Sequence, residues 1–294
     1  MPDRVSYVRS ECKSALTRVQ GMPFQWSLNP YRGCAHGCPY CFARDYFRRM
    51  DRDPGAGFDR QIEVKTNFAQ VLERELRRPK AGAVALGTAT DPYQPAEGRF
   101  RITRKVLEVL ARHPMPLTII TKGTLIVRDL ELLGAIARRV ELRIWSSITT
   151  VDPGTSRLIE PGAAPPAKRL EAIRRMRAAG LRAGVLIAPV VPGLTDSERS
   201  LRDVAVAARR AGAVALGSRP LKLDPGTKDV FYAFVAAQFP DLLPRYVARY
   251  GDGVTLDAEY LRVMEGRIER ASAGLRFHDE PRRFSEPAQL QLAM

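Results

Sequence analysis

Short runs rich in β-branched residues alternate with stretches whose apolar residues recur every three or four positions, and this alternation restricts the fold more than any other feature of the chain. Strands are expected at 24–28, 83–87, 117–121, 140–147, 183–189 and 213–217, with an extra strand at 61–65 inside a long connection. Helices are expected at 68–77, 103–112, 128–138, 167–179 and 197–211. The second of these gathers Val106, Leu107 and Leu110 on one face; the third gathers Leu130, Leu133 and Ile136. Gly180 and Gly212 fall just past two helices, where a left-handed cap is favoured. Strands that alternate with helices build βαβ units and a parallel sheet. Six units predict an α/β fold, a partial (βα)6 TIM-type barrel, and no sequence-level repeat accompanies them.

After Lys222 the pattern changes. Helices are expected at 229–238, 242–250 and 256–271, split by Pro240, Pro244 and the glycines at 251 and 253. The reading is therefore a barrel domain at 1–222 and a helical C-terminal extension at 223–294, ending in a frayed tail that holds Pro281 and Pro287. Covering the open edge of the barrel sheet is the simplest task for such an extension. Hydrophobic residues make up 45% of the 294, enough for a core without staples. No apolar run approaches the ~18 residues of a membrane span, and charges interrupt the first residues throughout. A cytoplasmic protein without a membrane partner is expected.

The formal net charge is +15. An excess of this size suits a nucleic acid or another phosphate-bearing partner. Only eight of the 47 basic residues are Lys, however, and the arginines are spread along the chain. Coding bias accounts for that distribution as readily as a binding stripe does.

Of the four cysteines, Cys34, Cys38 and Cys41 fall within eight residues, and Cys12 stands apart. A disulfide framework spreads its cysteines and needs an oxidising compartment; clustered cysteines point to metal. The stretch NPYRGCAHGCPYCF at 29–42 has the spacing C-x3-C-x2-C. Gly33, Gly37 and Pro39 allow a tight loop. Thiolates are the usual ligands of iron–sulfur clusters. Three of them can hold three irons of a cubane and leave the fourth open, and an open position marks a reactive metal. The residues leave other readings standing. One is a zinc knuckle with His36 or Cys12 as fourth ligand; another is a four-cysteine electron-transfer cluster completed by Cys12. Either would make the chain a non-catalytic zinc or iron–sulfur module of a basic nucleic-acid-binding protein.

The cysteine spacing, with aromatic Tyr40 before the third cysteine, resembles the radical S-adenosylmethionine superfamily. The blocks NPYRGCAHGCPYCFAR, GTATDPYQPAE, TKGTLIVRDLELL, SSITTVD and APVVPGLTDS, in this order, resemble the branch related to spore photoproduct lyase. The likeness spans roughly residues 10–220. It implies a 4Fe–4S cluster on Cys34, Cys38 and Cys41 and an open iron that chelates S-adenosyl-L-methionine. One-electron cleavage would give a 5′-deoxyadenosyl radical that takes hydrogen from a substrate. A low-potential electron donor of flavodoxin or ferredoxin type would be its partner. By the same resemblance, Tyr40 lies beside the adenine, and Thr90, Asp91 or Glu97 meets the amino group of the cofactor. Lys122 pairs with its carboxylate, and Ser146 or Ser147 bonds ribose hydroxyls or that carboxylate. Strand alternation points the two serines to opposite faces. Trp26 and Trp145 are expected in the core. The related lyase uses a cysteine in its second-strand loop, and none stands at 86–97 here. Lesion repair is therefore not carried over.

Overall fold

The computed structural model describes residues 5–277. Six parallel strands form the main sheet: β1 (Trp26–Leu28), β2 (Val84–Leu86), β3 (Leu117–Thr121), β4 (Leu142–Ser147), β5 (Ala183–Val190) and β6 (Leu216–Pro220). Their spatial order is their chain order, and a two-residue strand, Thr17–Arg18, adds antiparallel beside β1. With β6 as a free edge, the sheet is the partial barrel of the α/β class that the alternation predicts. Registers such as Leu28↔Leu86 and Thr121↔Ser146 align the strand ends, so the following loops gather on one rim. That rim carries the active site in barrels of this type.

The periodic segments fold as their apolar spacing dictates. In Ile102–Arg112, Val106, Leu107 and Leu110 are buried, and Leu133 and Ile136 are buried in Leu130–Ala137. Gly180 and Gly212 take the left-handed conformation, with φ of +77° and +78°. Trp145 is buried and Trp26 half-buried. The strand expected at 213–217 begins instead at Leu216. Ala213, Val214 and Ala215 are buried, so their apolar run reads as strand although the pairing shifts three residues on.

A second, three-stranded sheet is the main feature the periodicity does not announce. Gln61–Lys65, the expected extra strand, lies between Ser6–Ser10, to which it is parallel, and Tyr31–Arg32, to which it is antiparallel. Tyr31–Arg32 leads directly into the cysteine loop, so this sheet anchors the loop on one side.

Beyond Lys222 the helices are Pro225–Gln238, Leu243–Tyr250 and Ala258–Ser272. They do not act chiefly as an edge cover. Pro225–Gln238 packs on Arg44–Arg49, just after the cysteine loop, and Ala258–Ser272 packs on Glu198–Arg210. Phe231, Val235, Tyr246, Tyr250 and Met264 join the same core as the barrel strands. The expected frayed tail lies outside the described residues. Among those described, no helix is long and apolar enough to cross a membrane.

Candidate active site

Cys34 and Cys38 are buried and Cys41 is partly buried; all three are free thiols. The loop between them is fixed by bonds to its backbone. Cys34 N–H donates to Phe58 O at 3.0 Å. Gly33 enters the loop at φ +79°, and a Cβ there would stand 2.7 Å from Phe58 O, so only glycine fits. Thr90 Oγ1 and Gln94 Nε2 donate to Gly33 O at 2.6 and 3.0 Å, and Gln94 Oε1 accepts from Ala35 N–H at 3.0 Å. Arg44 is buried. Its Nε and Nη2 donate to Cys38 O at 3.0 and 2.9 Å, and Nη2 also bonds Asp59 at 2.7 Å. Thr227, from the C-terminal helices, donates to Cys41 O at 3.0 Å. Burial pushes all three thiols up, Cys38 to about 12, while the Lys122 ammonium pulls Cys38 and Cys41 back down.

The ends of β2, β3 and β4 meet this loop. Asp91 accepts from Thr121 Oγ1 and from the Lys122 N–H, each at 2.6 Å, and lies 3.5 Å from His36 Nδ1. His36 is buried, and desolvation lowers its pKa, which keeps the imidazole neutral. Lys122 Nζ sits 5.5 Å above the Tyr40 ring and 4.0 Å from Glu160. The Tyr40 hydroxyl donates to Glu160, which also accepts from Thr149 at 3.1 Å and faces Arg169 at 2.5 Å. Arg169 Nη1 donates to Ser147 O at 2.9 Å. Ser146 and Ser147 are both buried at the end of β4. Burial works against the charge of Glu160, but Arg169 and Lys122 outweigh it and hold the carboxyl below its ordinary range.

Thr90, Asp91 and Lys122 thus gather around the loop of Cys34, Tyr40 and Cys41, whereas Ser147 is linked to it only through its backbone carbonyl, Arg169 and Glu160, and Ser146 pairs with Thr121 on the neighbouring strand. Glu97 does not join them. It is fully buried and accepts from Tyr31, from the N–H groups of Thr103 and Arg104, and from Arg128 at 2.7 Å. Its oxygens are spent on the first turn of the helix Ile102–Arg112 and on Arg128. The arginines flanking the loop are also committed: Arg32 to Glu63, Arg44 to Asp59, and Arg48 and Arg49 to Asp45. Cys12 lies outside the loop, its backbone clasped by Asn67.

Glu160, Arg169, Arg44 and Gln94 are the site residues that sequence reading misses. One signal was present for Arg169. It shares helical spacing with Ala172, Ile173 and Met176, the apolar face of Pro166–Ala178, and a charge on such a face needs a buried partner.

The model of the radical SAM superfamily matches residues 28–204. The chain belongs to the radical SAM superfamily. As a radical SAM protein it is an enzyme of that type. It is 41% identical over 271 residues to the uncharacterized protein Rv2578c of Mycobacterium tuberculosis, covering 90% of this chain and 80% of that one. It is 23% identical over 227 residues to the radical SAM Nalpha-GlyT isomerase of Pseudomonas phage M6, covering 76% of this chain and 42% of that enzyme. The fold matches spore photoproduct lyase bound to AdoMet and dinucleoside spore photoproduct, with a TM-score of 0.68 at 16% identity, over 92% of this chain and 79% of that one. At that identity the likeness concerns the fold.

Among the described residues, no three His, Cys, Asp or Glu side chains converge on a single-ion position. The donor set of Cys34, Cys38 and Cys41 offers three thiols, the ligand type an iron–sulfur cluster takes.

Proposed function

We propose that this radical SAM enzyme holds a 4Fe–4S cluster on Cys34, Cys38 and Cys41 and uses S-adenosyl-L-methionine as the source of a radical. The observation that carries the reading is the presence of three free thiols at the barrel rim near a half-buried lysine. When bound, the reduced cluster and the cofactor supply methionine and a 5′-deoxyadenosyl radical.

The chain's own residues bind, orient and shield. Lys122 offers a point charge to the cofactor's carboxylate; desolvation works against that charge, and the ionised Glu160 nearby favours it. Asp91 and Thr90 are the candidates for the amino group, Tyr40 for the adenine, and Ser146 or Ser147 for the ribose hydroxyls. Arg169 and Glu160 fix the Tyr40 hydroxyl, so its ring cannot swing away from Lys122. The helix Pro225–Gln238 packs on the segment that follows the loop and shields it from that side, which helps protect a reactive intermediate.

The electron donor in this reading is a low-potential flavodoxin or ferredoxin, and the compartment is the cytoplasm, where thiols stay reduced. The net charge of +15 supports a nucleic acid or other phosphate-bearing substrate. Of the arginines flanking the loop, Arg32, Arg48 and Arg49 are paired with carboxylates and half-exposed.

The test is calorimetry under anaerobic conditions on protein carrying measured iron and sulfide. S-adenosylmethionine should bind, and Lys122→Ala should weaken binding at least ~10-fold, a loss of about 1.4 kcal/mol, with iron content unchanged. Equal affinity in the variant would remove Lys122 from the carboxylate.

A further inference from the structure

The C-terminal helices touch the cysteine loop at one place. Pro225–Gln238 directs its first turn at the residues after Cys41. Thr227 is fully buried, and its hydroxyl donates to Cys41 O at 3.0 Å. One residue earlier, Gly226 N–H donates to Asp45 Oδ1 at 3.0 Å. Gly226 is pressed so closely that a Cβ would lie 2.9 Å from Asp45 Cα, 3.0 Å from Arg48 Cβ and 3.2 Å from Arg44 O. Asp45 is buried too, and the bonds from Gly226, Arg49 and Arg48 overcome its desolvation and hold it ionised. These contacts join positions about 181–186 residues apart in the chain.

The contacts have a counterpart on the other side of the loop, where Arg44 grips Cys38 O through two donors. The carbonyls of Cys38 and Cys41 are therefore both bonded by side chains from outside the 34–41 segment. A hydrogen bond to the carbonyl restrains the peptide plane and with it the Cα from which the cysteine side chain departs. The short helix Arg44–Arg49 supplies one of these grips, and the segment after residue 222 supplies the other.

We propose that Thr227 and Gly226 form a clasp that positions Cys41 and retains the cluster, so that the C-terminal helices are part of the radical site. The proposal rests on the cluster reading given above. Thr227 is a positioning residue, acting through the Cys41 backbone. Without its hydroxyl, the Cys41 carbonyl keeps the Arg44 N–H at 3.1 Å but loses the bond that ties it to the C-terminal helices, and the last turn of the loop loosens. Such loosening exposes one iron–thiolate bond to competing ligands before the barrel itself unfolds.

The experiment uses the full chain, loaded with iron and sulfide without oxygen, and follows iron release to a ferrous chelator. Thr227→Val keeps the shape and removes the donor; Thr227→Ser keeps the donor and removes the methyl group. Release should quicken at least ~10-fold in Thr227→Val, a barrier lowered by about 1.4 kcal/mol, and stay within about twofold in Thr227→Ser. The electron paramagnetic resonance signal of the reduced cluster should broaden in the first variant alone. Should Thr227→Val not fold, Thr227→Ala against Thr227→Ser isolates the same hydroxyl. Equal rates in all forms, or equal acceleration with and without the hydroxyl, overturn the clasp. Wild-type protein that takes up no 4Fe–4S cluster overturns the cluster reading first and the clasp with it.

Discussion

Arg169 and Glu160 lie nearly out of solvent, with side-chain exposures of 1% each. Taking one partner from such a pair leaves a buried charge unpaired, which costs about 3–5 kcal/mol. Arg169→Met is expected to lower the urea unfolding free energy of the cluster-free protein by that amount, and a loss below about 1 kcal/mol would contradict the burial. Lys65 gives a pH-dependent counterpart. Its ammonium donates to Asn29 O at 2.8 Å, and burial lowers its pKa from 10.5 to about 8. A depressed lysine is charged at a cost to the fold. That cost is complete below pH 8 and fades as the pH rises toward 10.5, because the unfolded chain there binds more protons. Wild type should therefore gain up to about 3 kcal/mol over this window relative to Lys65→Met. Parallel stability curves for the two proteins would show that Lys65 titrates normally. Neither environment is written in the local sequence. The cysteines were legible because their spacing is itself the chemistry. Glu160 meets Tyr40 across 120 residues, a distance over which no spacing rule operates.

Among the elements, the loop after β2 does for the cysteine segment what a helix cap does for a helix. Gln94 and Thr90 satisfy the Ala35 N–H and the Gly33 carbonyl. Gln94→Leu leaves the Ala35 N–H without a partner, at about 1–3 kcal/mol. The exposed Gln70→Leu should stay within about 0.5 kcal/mol. Chemical denaturation of both variants tests this, and equal losses would mean that the loop does not depend on Gln94. The strands and helices of the barrel were readable because each has its own period. The small sheet was not, because Ser6–Ser10 mixes polar and apolar residues on both faces and its partner begins 55 residues later, at Gln61. The short helix that follows the loop was hidden for a related reason. Arg44–Arg49 is six residues long and its buried face includes Arg44 and Asp45, so charge masks the apolar stripe.

At the scale of the whole molecule, the positive charge is spread and much of it near the site is paired. Polyanion binding should therefore fall with salt at a log–log slope near ~0.9 per phosphate contacted on duplex. Arg48→Gln with Arg49→Gln should cost no more affinity than Arg174→Gln with Arg175→Gln. A loss confined to the loop pair, measured by fluorescence anisotropy, would instead place a phosphate track at the barrel mouth. The central claim is that the barrel, the loop and the covering helices together form a radical-generating site. Its most direct test is to reduce cluster-loaded protein without oxygen, add S-adenosylmethionine, and quantify 5′-deoxyadenosine and methionine by liquid chromatography and mass spectrometry. Equal amounts of both should form in wild type and in Cys12→Ala, and neither in Cys34→Ala, Cys38→Ala or Cys41→Ala. Reduced, cluster-loaded wild-type protein that forms neither product would contradict the account.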